Sequence, residues 1–225
     1  MKKLLVSFLV IVGFAGVAQA SSVVQVNGDA AAGQNKAAAC VACHGEAGNS
    51  MVPTFPKLAG QNARYLFKQM KDIKCGMLSA DDQKAQKCDG RSVPTMMGQL
   101  DAFNDSDLAD IATYFAAQTM SGGQASATLA AKGEEIYRAG ISAKGVAACS
   151  ACHSPTGNGN GPAGYPAVSG QHADYVAIQL KAFRAAADGL EGRSNDGDTS
   201  IMRDIAARLS DSEISAVASY ISGLY

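Results

Sequence analysis

Two short strings in this chain have the residue types and spacing to do chemistry: Cys40-Val41-Ala42-Cys43-His44 and Cys149-Ser150-Ala151-Cys152-His153. Two thiols three residues apart on a helical turn can form thioether bonds to the two vinyl groups of one haem, and the His that follows swings under the ring to ligate iron. Other uses of the pattern fit less well. A Cys-x-x-Cys redox dithiol gives no reason for the adjoining His, and no alternating strand–helix pattern surrounds it here. A structural zinc site wants four ligands, whereas each motif supplies three in a cramped turn. The strings read as covalent attachment sites for two haem c groups, through Cys40 and Cys43 and through Cys149 and Cys152. His44 and His153 then serve as iron ligands.

The sixth ligand of each iron follows by elimination. The chain has three His, two of which the motifs consume, so the first half has no second imidazole. The second half contains a single Met, Met202, which lies 12 residues before Ile214; Met96 lies 12 before Leu108, its counterpart. The repeat therefore selects Met96 over its neighbour Met97. His/Met ligation is the pairing that raises haem potential in electron-carrying cytochromes. Plain core filling is the common use of Met, but both residues are expected in a loop before the last helix, off its apolar stripe. His172 aligns with Asn62 at a helix start and reads as a solvated surface residue.

A haem-ligating His usually donates its other ring nitrogen to a backbone carbonyl. Pro56 and Pro166 are candidates to hold that carbonyl, with loop stiffening as their alternative role. Tyr65, Tyr175, Gln61 and Gln171 are candidates either for the haem propionates or for capping the middle helix.

The elements that must position these groups come in two copies. Beyond the attachment motifs, Gly48-Asn49 returns as Gly157-Asn158, Phe55-Pro56-Lys57-Leu58-Ala59-Gly60-Gln61 as Tyr165-Pro166-Ala167-Val168-Ser169-Gly170-Gln171, Tyr65 as Tyr175, and Asp105-Ser106-Asp107-Leu108 as Asp211-Ser212-Glu213-Ile214, at offsets of 106 to 110. A duplication with one order of landmarks decides the architecture before any single element does. The polar, glycine-bearing stretch Ser121-Gly122-Gly123-Gln124-Ala125-Ser126 reads as the linker. It divides the chain into a leader (1–20), a first domain (21–122) and a second (123–225).

Each copy reads as helical. Leu108, Ile111, Ala112 and Phe115 form one apolar stripe at i, i+3, i+4, i+7, and Ile214, Val217, Ala218 and Ile221 repeat it. Ser210 and Glu213 make a capping box, with Asn104 and Asp107 a looser version. A middle helix carries Leu66, Met70 and Ile73, matched by Val176, Leu180 and Phe183. The segments from Asp29 into Cys40 and from Ala127 to Ala139 supply leading helices. No period-two strand is apparent. Trp is absent, and the glycine- and proline-rich loops make poor core unless a ligand packs against them.

Residues 1–20 combine Lys2 and Lys3, an apolar run from Leu4 to Val17, and the small-x-small box Ala18-Gln19-Ala20, the layout of a cleavable export signal. The run is short for a spanning helix, which takes about 20 residues. Of the 19 basic residues two lie in this leader, leaving 17 against 20 acidic ones and a formal charge of −3. That balance points away from nucleic acid and from strongly anionic membranes as partners. Cys75 and Cys88 have no copy in the second half and sit in a polar insertion; in an oxidising compartment a disulfide is expected, with free thiols the alternative.

The paired motifs, the FPKLAGQ and YPAVSGQ repeats and residues 195–214 (NDGDTSIMRDIAARLSDSEI) resemble the dihaem cytochrome c4 family, over essentially the whole chain after the leader. The resemblance implies an all-α fold of two tandem class-I cytochrome c domains, each a few helices wrapped around one covalently bound haem. It assigns Cys40, Cys43, His44 and Met96 to haem 1, and Cys149, Cys152, His153 and Met202 to haem 2. It implies a periplasmic electron carrier, with a quinol-oxidising complex as donor and a terminal oxidase as acceptor. Peripheral association with membrane complexes is compatible with it, and no small-molecule substrate is expected. The cysteine-bearing insertion departs from the family's short loop. Two other classes share the motifs: a dihaem electron-acceptor subunit of a periplasmic dehydrogenase or sulfide-oxidising complex, and a dihaem peroxidase, which needs one open iron. An iron capped on both faces argues for the carrier.

Overall fold

The computed structural model describes residues 25–225, so the expected leader at residues 1–20 lies outside the described residues. The first domain begins where the Asp29 carboxylate accepts from the Ala31 and Ala32 N–H groups and starts α1 (Ala30–Lys36). A 3₁₀ stretch (Ala37–Cys40) leads into the four-residue α2 (Val41–His44), so the first attachment string lies on continuous helical turns. α3 (Ala63–Gly76), the short α4 (Ala80–Gln86) and α5 (Asp105–Ala116) follow. The second domain repeats the plan with α6 (Ala130–Ala139), α7 (Ser150–His153), α8 (Ala173–Ala187), α9 (Ile201–Ala206) and α10 (Asp211–Ser222). Both final helices carry complete, reciprocal capping boxes, Asn104 with Asp107 and Ser210 with Glu213, so the first is as regular as the second. Among the described residues there is no strand, only two isolated bridges, and no helix long and apolar enough to cross a membrane.

In each domain the leading helix crosses the last one, α1 on α5 and α6 on α10, while the middle helix packs on the last, α3 on α5 and α8 on α10. Glycine makes the crossing possible. A Cβ on Gly33 would lie 2.1 Å from the Asp110 carbonyl oxygen, and one on Gly133 would lie 2.2 Å from that of Ala216. The stripes read from the sequence are buried at this junction: Leu108, Ile111, Ala112 and Phe115 in one domain, Ile214, Val217, Ala218 and Ile221 in the other. Gly133→Val should therefore wedge α6 off α10 and cost about 3 kcal/mol, the upper part of the usual overpacking range. A loss of that size lowers the melting temperature of a domain this small by roughly 10 °C or more. Thermal melting of the holoprotein followed by circular dichroism measures it, and an unchanged midpoint would contradict the tight crossing.

The copies differ in one region. Domain 1 inserts α4 between α3 and α5, its base joined by the Cys75–Cys88 disulfide, with Cα atoms 6.2 Å apart. Domain 2 has no equivalent of α4 and instead forms α9 before its last helix.

Candidate functional site

A cavity of about 990 Å³ runs through both domains, and all eight residues singled out by the sequence line it: Cys40, Cys43, His44 and Met96 from the first, Cys149, Cys152, His153 and Met202 from the second. Its walls are the inner faces of α3, α5, α8 and α10 and the loops bearing Pro56 and Pro166. The glycine-rich loops that looked too poor to make core thus border the cavity.

The imidazoles are oriented alike. Nδ1 of His44 donates to the Pro56 carbonyl at 2.9 Å, and Nδ1 of His153 donates to the Pro166 carbonyl at 2.9 Å. A carbonyl only accepts, so the proton sits on Nδ1 and the Nε2 lone pair is left available to a metal. Burial pushes both imidazoles below their usual pKa, against the smaller opposing pull of the prolyl carbonyls, so both are neutral at pH 7. Of the two roles open to Pro56 and Pro166, the carbonyl role is the one observed.

The four motif cysteines are not paired with one another. Burial pushes the Cys40 thiol up and the Cys149 thiol to about 11. A redox dithiol needs a depressed thiol pKa, so Cys40 and Cys149 lack the activation which that reading requires. No three His, Cys, Asp or Glu side chains converge in a metal-holding group among the described residues, which leaves a zinc site without its donors.

Met96 ends a 3₁₀ turn (Pro94–Met96) and packs, half-buried, against Ile73, Leu100 and Leu108. Met97 is 67% exposed and faces away from the large cavity, bordering a separate small hollow with Met77 and Asp101. Met202 occupies the second position of α9, half-buried against the core of domain 2. Asp196 anchors that turn, accepting from Arg203 at both the backbone N–H (3.0 Å) and Nε (2.7 Å).

Between the domains lies a polar interface in which each half returns the contacts of the other. Gln61 bonds both backbone groups of Ala167 at 2.8 Å, and Gln171 bonds both backbone groups of Lys57 at 2.9 Å. Arg91 donates to Gln69 of its own domain and to Tyr175 and Gln179 of the other. Arg193 donates to Gln179 of its own domain and to Tyr65 and Gln69 of the other. The Lys57 ammonium donates to the carbonyls of Ser121 (2.6 Å) and Gly170 (3.0 Å), fastening the linker to both domains. His172, expected on the solvated surface, is half-buried here, its Nε2 donating to the Ser50 carbonyl at 2.8 Å.

The chain matches the family model described as Cytochrome c twice, over residues 30–118 and 130–224. It is 53% identical over 225 residues to cytochrome c4 of Azotobacter vinelandii, covering all of both chains. The chain belongs to the cytochrome c4 family. The crystal structure of reduced recombinant cytochrome c4 from Pseudomonas stutzeri superimposes with a TM-score of 0.81 at 51% identity, covering 88% of this chain and all of that one. A more distant relative, 32% identical over 85% of this chain and 81% of its own, is a thiosulfate dehydrogenase electron acceptor of Thiomonas intermedia. As a cytochrome c4 the chain is a dihaem electron carrier with two covalent haem c groups, one per domain.

The residues present fit two such groups. Each half of the cavity offers an unpaired thiol pair, a neutral imidazole with a free Nε2 and a thioether. The cavity also holds two buried guanidiniums, Arg91 and Arg193, whose hydrogen-bond partners are all neutral side chains. Neither has a carboxylate within hydrogen-bond reach, although the buried Asp72 acts on Arg193 through space; buried charge is costly, and the carboxylates of a haem would find cationic partners here. These arginines escaped the sequence reading. Their backbones are equivalent, Arg91 N–H bonding the Asp72 carbonyl and Arg193 N–H that of Ala182, each at 2.9 Å. The insertion shifts their offset to 102, outside the 106–110 of the other landmarks. The signal was there in Gly90-Arg91-Ser92 and Gly192-Arg193-Ser194, one tripeptide in both copies.

Proposed function

We propose that His44 and Met96 are the axial ligands of haem 1 and His153 and Met202 those of haem 2, with thioether bonds from Cys40, Cys43, Cys149 and Cys152. The observation that carries this reading is that one imidazole with a free Nε2 lines each half of the cavity, with Met202 the one thioether of the second half and Met96, its counterpart by the repeat, lining the first beside Met70 of α3. Bound haem supplies one-electron chemistry, its iron passing between ferric and ferrous states. The protein's part would be to hold each iron with a fixed imidazole (His44, His153) and a fixed thioether (Met96, Met202), so that little would reorganise when the charge changes. The His–Pro hydrogen bonds hold the ring planes, and the apolar walls of α3, α5, α8 and α10 exclude water. The buried arginines favour the electron through their positive charge.

The protein is a periplasmic carrier, taking electrons from a quinol-oxidising complex and delivering them toward terminal oxidases. The export-type leader supports that location, as does the Cys75–Cys88 disulfide, a bond that persists in oxidising compartments. The domain boundary falls at residues 122/123, supported by the absence of helix between Ala116 and Ala130. A second reading, the dihaem acceptor subunit of a periplasmic dehydrogenase, is favoured by the thiosulfate dehydrogenase electron acceptor among the relatives. Co-purification separates them: a stable complex with a dehydrogenase subunit supports the second, and reduction by a quinol-oxidising membrane fraction without one supports the first.

Expressed with haem-maturation machinery, the protein should have a denatured mass equal to residues 21–225 plus two haems. A mass with one haem or none would overturn the attachment sites, and one retaining residues 1–20 would overturn the cleavage.

A further inference from the structure

The segments bearing the two proposed Met ligands are fastened by different means. In domain 2, Met202 rides on a helical turn, and the Asp196–Arg203 ion pair ties that turn to the chain leading into it. Domain 1 has no such helix; Met96 ends a three-residue turn preceded by the long excursion through α4. α4 buries none of its residues, so packing takes hold of the returning chain only at Arg91, which is buried, and at Val93, which lies on the Ile73, Leu100 and Leu108 core. A set of ties to the end of α3 also holds it. Cys88 is bonded to the buried Cys75, the Arg91 N–H donates to the Asp72 carbonyl at 2.9 Å, and Gly98 N–H meets the Met77 sulfur at 3.3 Å. Gly76 lets the returning chain lie flush: a Cβ there would sit 2.4 Å from the Arg91 carbonyl oxygen. Met96 hangs between these ties.

We propose that the Cys75–Cys88 disulfide is a positioning device for Met96, clamping the base of its arm to α3 as α9 and the Asp196–Arg203 pair clamp the arm of Met202. This rests on the reading of Met96 as the haem 1 ligand. Opening the disulfide frees a 13-residue excursion, and the arm then gains freedom to leave the iron. Haem 1 becomes easier for an outside ligand to reach, while haem 2, in the same molecule, serves as the reference.

The test uses ferric holoprotein carrying Cys75→Ala/Cys88→Ala, titrated with imidazole while the near-infrared sulfur-to-iron band is followed. Half of the band should bleach at about tenfold lower imidazole than in the wild type, a modest share of what a loop closure of this length contributes. The other half should bleach as before. Adding Met96→Ala should remove the sensitive half. If the sensitive half survives that addition, the disulfide acts elsewhere and the proposal falls. Met96→Ala alone separates the two readings. If it abolishes half of the band while the double cysteine variant titrates like the wild type, the clamp is wrong and the ligand assignment stands; if it leaves the whole band, both fall. Should the double variant load haem poorly, assembled protein can be reduced with a phosphine, its thiols capped with iodoacetamide and its iron reoxidised, and the same criteria apply.

Discussion

Met202→Ala is expected to open the sixth position of haem 2 and leave haem 1 untouched. No other Met occurs after residue 122, and the only imidazole outside the attachment motifs, His172, is engaged with the Ser50 carbonyl at the domain interface. His172 cannot replace the lost thioether without dismantling that contact. Ferric protein should lose about half of its sulfur-to-iron absorption, and one haem should become high-spin or take up an added ligand. The potential of haem 2 should fall by on the order of 100 mV, a fraction of the roughly 0.8 V over which axial ligands move haem potentials. The sign follows from the thioether's preference for ferrous iron. Covalent attachment through Cys149 and Cys152 should persist in the denatured mass. A variant that keeps the full band and both potentials would remove Met202 from the iron, and Met96 would lose its repeat-based support with it.

Arg193→Leu should act on both domains at once. The buried guanidinium gives hydrogen bonds to Tyr65, Gln69, Gln179 and Asn195 and lies 4.5 Å over the Phe183 ring. Leucine fills much of the space and satisfies none of those acceptors. Buried polar groups left without partners cost about 1–3 kcal/mol each, and some will re-pair with Arg91, so a net loss of about 4 kcal/mol is expected in thermal or denaturant unfolding. The charge matters separately. Were the charge to lie about 10 Å from an iron, in an effective dielectric of ~20, it would favour the electron by about 1.7 kcal/mol. Its removal should lower the haem potentials by on the order of 50 mV. Arg193→Lys should recover much of the potential and little of the stability, because an ammonium restores the charge without the fork of donors. Equal potentials in the wild type and Arg193→Leu would mean that the charge is neutralised or too distant to matter.

Much of the site was legible because its chemistry is local in sequence. The proposed attachment strings declare themselves within five residues, and the duplication places Met96 and Met202 at equivalent positions by counting. The capped helices follow from stripes at i, i+3, i+4 and i+7. What was not legible depends on the other half of the molecule. Gln61 and Gln171 carry no mark of their role, since each is satisfied by a backbone more than 100 residues away. His172 at a helix start looks solvated until the second domain brings Ser50 against it. α9 was missed because Ser200 enters it in a left-handed conformation, φ 51°, without a side-chain cap, so the usual start signal was missing. The Cys75–Cys88 pairing was expected from compartment and arithmetic alone, whereas its place at the root of the Met96 arm needed the fold.

The reciprocal interface has a consequence for assembly. Gln61 meets Ala167 as Gln171 meets Lys57, and Arg91 crosses to Tyr175 as Arg193 crosses to Tyr65. Contacts exchanged in this way are those of a twofold homodimer, here joined head to tail by the linker that Lys57 pins. Two free copies with this surface would come together only as far as their concentration allowed. Tethered, each sees the other at an effective concentration in the millimolar range however dilute the molecule becomes. The two halves of the cavity are therefore kept neighbours by chain connectivity, and their spacing does not depend on how much protein the cell makes.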